Sequence, residues 1–267
     1  MKLTISNIAW KSCSDNSYLK LIKKHKIKSL EYAPDIILRG DYSTKNILET
    51  KKYWNTHKIK LYSMQSILFG SKNAYMFGDK IQKNIFLNEI IKKIDLAHKL
   101  GSKILIFGSP QNRIIFKKKK KLLEQISIKI FSKIADYCHK KKIYFCLEAN
   151  PKLYGCEYIN NTNEAINLIK RINKPYFRLN LDLGTIIANK EDLSEIISKN
   201  SNLIKHAQIS TPYLRDILKY KSEIKKFIYY LYKVKYTGHV SIEMLEKNNN
   251  NFNNVSKSIN AVKLMFK

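Results

Sequence analysis

Short apolar segments rich in β-branched residues recur along the whole chain, and this recurrence constrains the fold more than any other feature. They lie at residues 3–10, 27–33, 59–67, 103–109, 143–150, 177–184, 205–210 and 239–244. The intervening segments have helical periodicity, as in Ile81, Ile85, Ile90 and Ile94 before Gly101. Alternating strands and helices imply a parallel sheet covered by helices, and eight such units in 267 residues imply closure. The sequence therefore predicts an α/β fold, a single (β/α)8 TIM barrel spanning residues 1–267.

Local signals predict where helices begin and end. Asn161, with Glu164 three residues later, is typical of a helix start, and Gly101 occupies the place of a C-terminal capping glycine. The Asn-rich segment 248–254 is predicted to be a long loop before a last helix at 255–266. A doubly wound open sheet is the alternative, and it is disfavoured because no GxGxxG turn follows the first strand.

The net charge of +29 comes from 50 Lys and Arg against 21 Asp and Glu, and only five of the basic residues are arginines. Phosphate and base recognition favours arginine, so this lysine excess, with heavy use of Ile and Asn, indicates genome composition rather than specific nucleic-acid binding. The four cysteines form no CxxC pair, which favours reduced thiols. No signal-peptide-like or membrane-spanning apolar run occurs, so we expect a cytoplasmic protein without membrane contact.

Polar residues end each apolar segment, where the strands of a parallel barrel surround the active site. Residues two apart on a strand share a face. The predicted inward pairs are Glu148 with Asn150, Asn180 with Asp182, His206 with Gln208, and Ser241 with Glu243, while Leu147, Leu181, Ala207 and Ile242 face the helices. Like charges repel and burial adds a further cost, so three acids in one barrel mouth need compensation.

A divalent cation would compensate these acids. Glu148, Asp182, Gln208 and Glu243 supply an oxygen-only ligand set, which suits Mg²⁺ or Mn²⁺ best and is also compatible with Co²⁺ or Zn²⁺. The alternative is that each acid pairs separately with a lysine or caps a nearby helix.

The strand ends carry the segments ISNIAW, LEYAP, FGSPQNR, LEANPKLYG, LDLGT, HAQISTPYL and SIEM. Together they resemble the xylose isomerase-like barrels of sugar isomerases and epimerases, a family with distant relatives of endonuclease IV. In that family a Glu, an Asp, a His or Gln and a final Glu hold a metal, and the resemblance places these roles on Glu148, Asp182, Gln208 and Glu243. Their spacings of 34, 26 and 35 residues are similar to those of ketose 3-epimerases.

Two positions depart from the ketose epimerase pattern. Gln208 stands where those epimerases usually have His, whereas members similar to hydroxypyruvate isomerase use Gln; His206 is the rival ligand or an orienting neighbour. Thr185 stands where many epimerases and the endonuclease branch carry His, which weakens the transfer of any one substrate. The resemblance implies that a member of the endonuclease branch would hold its metals with several His ligands. Of the six histidines here only His206 is suitably placed, so an endonuclease activity is disfavoured.

The resemblance implies a metal-dependent isomerase or epimerase of a sugar or sugar phosphate. Glu148 and Glu243 would exchange a proton next to a carbonyl through an enediolate. Substrate contacts are predicted for Asn7, Trp10, Glu31, Gln65, Ser109, Arg113, Asn150, Tyr154, His206 and Arg215. In this set either arginine could clamp a phosphate or carboxylate, and Trp10 and Tyr154 would form an aromatic wall with Phe69. The alternatives are a metal-dependent dehydratase or lyase and a barrel without turnover; the resemblance also allows a homodimer.

Overall fold

The computed structural model describes residues 1–10, 14–246 and 251–266. Its strands are β1 Lys2–Ser6, β2 Ser29–Tyr32, β3 Lys60–Met64, β4 Ile104–Phe107, β5 Tyr144–Leu147, β6 Phe177–Asp182, β7 Ile204–Ile209 and β8 His239–Ile242. They hydrogen-bond in parallel and in chain order, and β8 pairs with β1 to close the barrel. Each strand overlaps one of the apolar segments, so the predicted TIM barrel is confirmed and the open sheet is excluded.

Helices follow every strand. They are α1 Asp15–Lys24, α2 Pro34–Ile37, α3 Thr44–Thr56, α4 Lys80–Leu100, α5 Lys120–Lys141, α6 Thr162–Ile172, α7 Leu183–Asn189, α8 Leu193–Asn200, α9 Lys221–Lys233 and α10 Asn251–Met265. Gly101 ends α4 with φ of 87°, the left-handed conformation that glycine adopts readily. The side chain of Asn161 caps α6 by accepting a hydrogen bond from the backbone N–H of Glu164. Both predicted helix boundaries are confirmed.

The Asn-rich segment after β8 differs from the predicted loop. Helix α10 begins at Asn251, so residues 251–254 are helical, while residues 248–250 lie outside the described residues. Asn251 is buried, and its side-chain amide donates to the carbonyl of Ala9 at 2.6 Å. This contact joins opposite ends of the chain, so the local sequence carries no sign of it.

Strand alternation divides the buried residues into two sets. The larger set packs between the sheet and the helices and includes the strand residues Leu147, Leu181, Ala207 and Ile242, as predicted. A smaller apolar cluster lies on the other face of β4 and β5, inside the barrel; it consists of Ile104, Ile106 and Cys146, with Tyr62 and Tyr144 packed against it. The rest of the interior is polar, and its buried side chains include Thr4, Glu31, Asn180, His206, Gln208 and Ser241. Polar groups from neighbouring strands thus meet inside the barrel.

Cys138, Cys146 and Cys156 are free and buried, whereas Cys13 lies outside the described residues. Among the described helices, none combines the length and the apolar character that crossing a bilayer requires.

Adjacent leucines at the start of α5 separate core packing from surface effects. Leu123 is 6% exposed and Leu122 is 44% exposed. We expect Leu123→Ala to lower the free energy of unfolding by about 2–5 kcal/mol, because it leaves a cavity in the core between helices and sheet. The matched change Leu122→Ala should alter it by about 0.5 kcal/mol or less. Urea denaturation followed by circular dichroism measures both, and equal losses would contradict this packing of α5.

Candidate active site

A cavity of about 860 Å³ opens at the carboxyl ends of the strands. Among the residues predicted from the strand ends, those that line it are Gln65, Ser109, Glu148, Tyr154 and Glu243. Much of the remaining wall comes from residues 66–75, in the connection between β3 and α4. Catalytic residues of (β/α)8 barrels lie at this end, so the cavity is the candidate active site.

Glu31 on β2 is fully buried and is held by uncharged donors. Its Oε1 accepts hydrogen bonds from Gln208 at 2.9 Å and Gln65 at 3.3 Å. Its Oε2 accepts from the hydroxyl of Ser63 at 3.0 Å. Burial raises the pKa of Glu31 to about 7, although these hydrogen bonds oppose the shift. The carboxyl therefore gains or loses its proton near neutral pH.

Asn180 on β6 connects three polar side chains. Its amide nitrogen donates to Glu148 Oε2 at 2.9 Å and also to Gln208 Oε1. Its Oδ1 must then accept from His206 Nδ1, which lies 2.8 Å away. His206 is thereby fixed as the tautomer with hydrogen on Nδ1, and burial lowers its pKa to about 3, so the ring is neutral. Its Nε2 lies 3.2 Å from Glu31 Oε2, a contact that is favourable when Glu31 carries a proton.

Asp182 ends β6 and caps α7. Its Oδ2 accepts from the backbone N–H of Thr185 at 2.8 Å and lies 3.0 Å from the Thr185 hydroxyl. Its Oδ1 accepts from the hydroxyl of Ser210. Asp182 therefore has the helix-capping role that the sequence left open as an alternative. Thr185 is thus part of this cap.

The carboxylates of the site raise one another's pKa. Burial raises the pKa of Glu148 to about 8, and the charge of Asp182 is the next cause. Burial, followed by the charges of Glu148, Glu31 and Asp182, raises the pKa of Glu243 well above its ordinary value. In the described part of the chain, Glu148, Asp182 and Glu243 form no ion pair, so pairing with separate lysines is not how these acids are compensated.

The donor types at this site match those that bind a divalent cation, although the described side chains are not arranged around an ion position. Glu148 and Glu243 face the cavity, and Asp182 lies beside Gln208 in the register of β6 and β7. Carboxylate and amide oxygens with excess negative charge are what Mg²⁺ and Mn²⁺ prefer. Within residues 1–10, 14–246 and 251–266, no group of three or more His, Cys, Asp or Glu side chains is arranged to hold an ion. The oxygens of Asp182 and Gln208 already accept the hydrogen bonds described above.

Arg113 does not provide the anion clamp expected from the sequence. It is fully buried and does not line the cavity. Its guanidinium donates to the carbonyls of Gly108 at 3.0 Å and Glu148 at 3.1 Å, and to Asn150 Oδ1. Asn150 in turn donates to Glu148 Oε1 at 2.8 Å. Because its donors are occupied by protein oxygens, Arg113 positions Glu148 rather than a ligand.

Trp10 and Arg215 also lie away from the cavity wall. Trp10 belongs to the core, where its ring stacks on Tyr18 at 4.4 Å between centroids and its N–H donates to Asp15 at 2.8 Å. Arg215 is exposed, and its guanidinium lies 5.2 Å from the centre of the Tyr213 ring. The aromatic wall expected from the sequence therefore lacks Trp10, and the expected arginine clamp lacks Arg215.

Asn7, another predicted contact, is buried just after β1. Its Oδ1 accepts from the backbone N–H of Ala33 at 2.8 Å. Its Nδ2 is buried and has no hydrogen-bond partner among the described residues. A buried donor without a hydrogen-bond partner costs free energy, so this amide could donate a hydrogen bond to water or to a bound molecule.

The connection between β3 and α4 supplies cavity residues that the strand ends did not reveal. Ser66, Lys72 and Asn73 line the cavity, and Ser66 and Asn73 have positive φ values of 53° and 57°. Phe69 also lines it, together with Tyr154, and is 77% exposed. Residues 65–79 form a connection longer than most βα loops, and this length is the signal that could have identified it.

The sequence matches the family described as xylose isomerase-like TIM barrel over residues 19–264. The chain belongs to this family, which confirms the resemblance seen in the strand-end motifs. No curated protein matches the sequence.

Several solved structures are similar to this barrel. D-psicose 3-epimerase from Clostridium cellulolyticum H10, solved with D-tagatose, has a TM-score of 0.79 at 16% identity and 100% coverage of both chains. The probable 3-DHS dehydratase AsbF from Bacillus anthracis has a TM-score of 0.72 at 12% identity, covering 98% of this chain and 99% of its own. IolI with a bound zinc atom has a TM-score of 0.70 at 16% identity, covering 99% of this chain and 96% of its own. At such low identities these similarities show the fold alone.

The raised pKa of Glu148 predicts how stability depends on pH. Between the ordinary value of 4.5 and about 8, the folded protein keeps a proton that the unfolded chain releases. The free energy of unfolding of the protein in chelator should therefore fall as pH rises through this window, by up to about 1.4 kcal/mol per pH unit from this group. Glu148→Gln should make the slope smaller, because the other buried carboxyls still contribute to it, and Glu49→Gln, at an exposed position on α3, should leave it unchanged. Urea denaturation at several pH values measures the slopes; the same slope in all three proteins would contradict the assignment.

Proposed function

We propose that this protein is a divalent-metal-dependent isomerase or epimerase of a sugar or sugar phosphate. The observation that carries the proposal is that Glu148 and Glu243, which directly follow β5 and β8, line the same cavity and both have a raised pKa. The family, and the epimerase of the same fold, support a sugar carbonyl compound as the substrate.

Proton transfer next to a carbonyl needs an ionised base and a protonated acid at the same pH. Repulsion between Glu148 and Glu243 favours a state in which the pair shares one proton. The ionised member would remove the proton from the carbon beside the carbonyl, and the protonated member would return one to the resulting enediolate. Return to the opposite face inverts the carbon, whereas return to the neighbouring carbon moves the carbonyl.

The residues that would hold the cation are Glu148, Asp182, Gln208 and Glu243. When bound, Mg²⁺ or Mn²⁺ would polarise the substrate carbonyl and acidify the adjacent C–H bond. Asn150 and Asn180 donate to the two oxygens of Glu148 and thereby fix the orientation of its carboxylate. Glu31 accepts a hydrogen bond from Gln208. Its charge would act on the nearby carboxyls of Glu148 and Glu243.

The cavity wall suits a polyhydroxylated substrate. Gln65, Ser109 and Tyr154 present hydrogen-bonding groups to the cavity, and Phe69 supplies an apolar surface that would cover a sugar and exclude water. Lys72 is the cation that a phosphorylated substrate would meet in this wall.

A dehydratase or lyase is the second candidate. One similar barrel is a probable dehydratase, and elimination of water can begin with the same proton abstraction next to a carbonyl. The two reactions differ in outcome, because elimination forms a double bond and releases water, whereas isomerisation conserves the atoms of the substrate.

Deuterium incorporation tests the proposed proton transfer. With Mn²⁺ or Mg²⁺ in D₂O, we expect exchange at a carbon next to the carbonyl of a ketose, an aldose, a corresponding phosphate or hydroxypyruvate, read by NMR. Glu148→Gln and Glu243→Gln should each slow it by roughly 10²–10⁴-fold, since each removes an acid–base group. Glu49→Gln is the control and should retain the wild-type rate.

Full turnover in both cavity variants would refute the assignment of the carboxylate pair. Formation of a double bond in the product, with no deuterated isomer, would support the dehydratase or lyase instead. If the protein binds metal but causes no deuterium exchange in any of these substrates, a dehydratase or lyase acting on another substrate would be favoured instead.

Metal binding is tested separately from turnover. Saturating Mn²⁺ should raise the melting temperature, with a stabilisation of about 2.7 kcal/mol when free metal is 100 times its Kd. Glu243→Gln should weaken Mn²⁺ binding, measured by calorimetry, because it removes a charged donor that faces the cavity. Glu49→Gln should bind as the wild type does, and equal affinities in all three proteins would place the metal elsewhere.

A further inference from the structure

A second cavity, of about 430 Å³, lies at the opposite end of the barrel from the candidate active site. It is lined by the first residues of β1, β7 and β8, by Tyr62 on β3, and by residues 234–238 between α9 and β8. Its volume lies within the roughly 300–1,000 Å³ typical of small-molecule sites. None of the residues discussed for proton transfer contributes to it.

The wall of this cavity is basic. Lys2, Lys205 and Lys235 line it, and no Asp or Glu is among its described lining residues. In the described part of the chain, none of these lysines forms an ion pair. Exposed Lys2 and Lys235 and half-buried Lys205 thus border this cavity without a carboxylate to balance their charge, which favours an anion there.

His239 adds a buried imidazole to this wall. It begins β8, is 7% exposed, and its Nδ1 has no hydrogen-bond partner among the described residues. The Tyr62 ring stacks on it at 3.5 Å between centroids. Burial, followed by the charges of Lys2 and Lys60, lowers the pKa of His239 to about 4. The imidazole is thus neutral and lies among positive charges, and a bound anion would reduce the repulsion between those charges.

Specific contacts hold this cavity in shape. The Tyr236 hydroxyl donates to the carbonyls of His239 at 3.0 Å and Lys205 at 3.2 Å. A side chain at Gly238 would collide with that hydroxyl, and the Gly238 carbonyl accepts from the backbone N–H of Lys2 at 2.9 Å. The Lys205 ammonium lies 4.0 Å from the centre of the Tyr144 ring. These contacts fix the backbone around the cavity and the position of one of its three lysines.

We propose that this cavity binds a phosphate group, either as inorganic phosphate or as the phosphate of a small ester. The lysines supply charge, and His239, Ser201 and Thr237 supply neutral donors for the phosphate oxygens. The cavity is larger than one phosphate ion needs, so an organic substituent has room. The proposal does not depend on the activity proposed for the other end of the barrel.

NMR titration of the histidine rings tests this site. On addition of inorganic phosphate, and separately of glycerol phosphate, the ring signals of His239 should shift saturably, whereas those of exposed His98 should not. The His239→Asn spectrum assigns the signal. Tighter binding of the ester would identify a phosphorylated metabolite as the source, and equal or weaker binding would identify the free ion.

Matched charge removal provides the control. Lys205→Met keeps the aliphatic stem and should weaken phosphate binding, measured by calorimetry, by roughly 10-fold or more. Lys129→Met removes one charge from an exposed position on α5 and should leave the affinity unchanged. Circular dichroism confirms that each variant is folded. Absence of a saturable His239 shift at millimolar phosphate, or equal weakening in the two lysine variants, would overturn the proposal.

Discussion

Repulsion among carboxylates at one end of the barrel is the constraint to which the surrounding side chains respond. Glu31, Glu148, Asp182 and Glu243 lie on or just after different strands, and closure of the sheet brings them close enough for their charges to interact. The donors that hold them are amides and hydroxyls rather than lysines. Neutral donors satisfy carboxylate oxygens without cancelling their charge. The pKa of Glu148 therefore stays high although the amides of Asn150 and Asn180 donate to its two oxygens.

The fold was predictable because its signals are local. Each stretch of sequence shows the alternation between apolar strands and amphipathic segments, and the capping residues Gly101 and Asn161 mark helix boundaries. The start of α10 was not predictable, because the buried amide of Asn251 donates to the carbonyl of Ala9, at the opposite end of the chain. Polar residues close to a strand end can thus begin a helix when the completed barrel offers their side chains a partner.

The candidate site was predictable to the extent that strand geometry determines it. Glu148 and Glu243 reach the cavity because residues two apart share a strand face. Trp10 and Arg113, predicted as substrate contacts, do not line the cavity, because their long side chains reach partners that strand position does not reveal. For Arg113 the partners are carbonyls brought together by β4 and β5. Apart from Gln65 and Phe69, the cavity residues in the connection after β3 were missed, because they reach the cavity through backbone turns rather than strand register.

The two ends of the barrel carry opposite charge, and a short path joins them. On β8, His239 at the basic end and Glu243 at the acidic end are four residues apart, or about 13 Å along the strand. Two unit charges at that separation interact by only about 1 kcal/mol at an effective dielectric constant near 20, and His239 itself is neutral. The charges that act on Glu148 and Glu243 are those of groups at their own end of the barrel. The two ends can therefore differ in charge, because each set of groups responds mainly to its own neighbours.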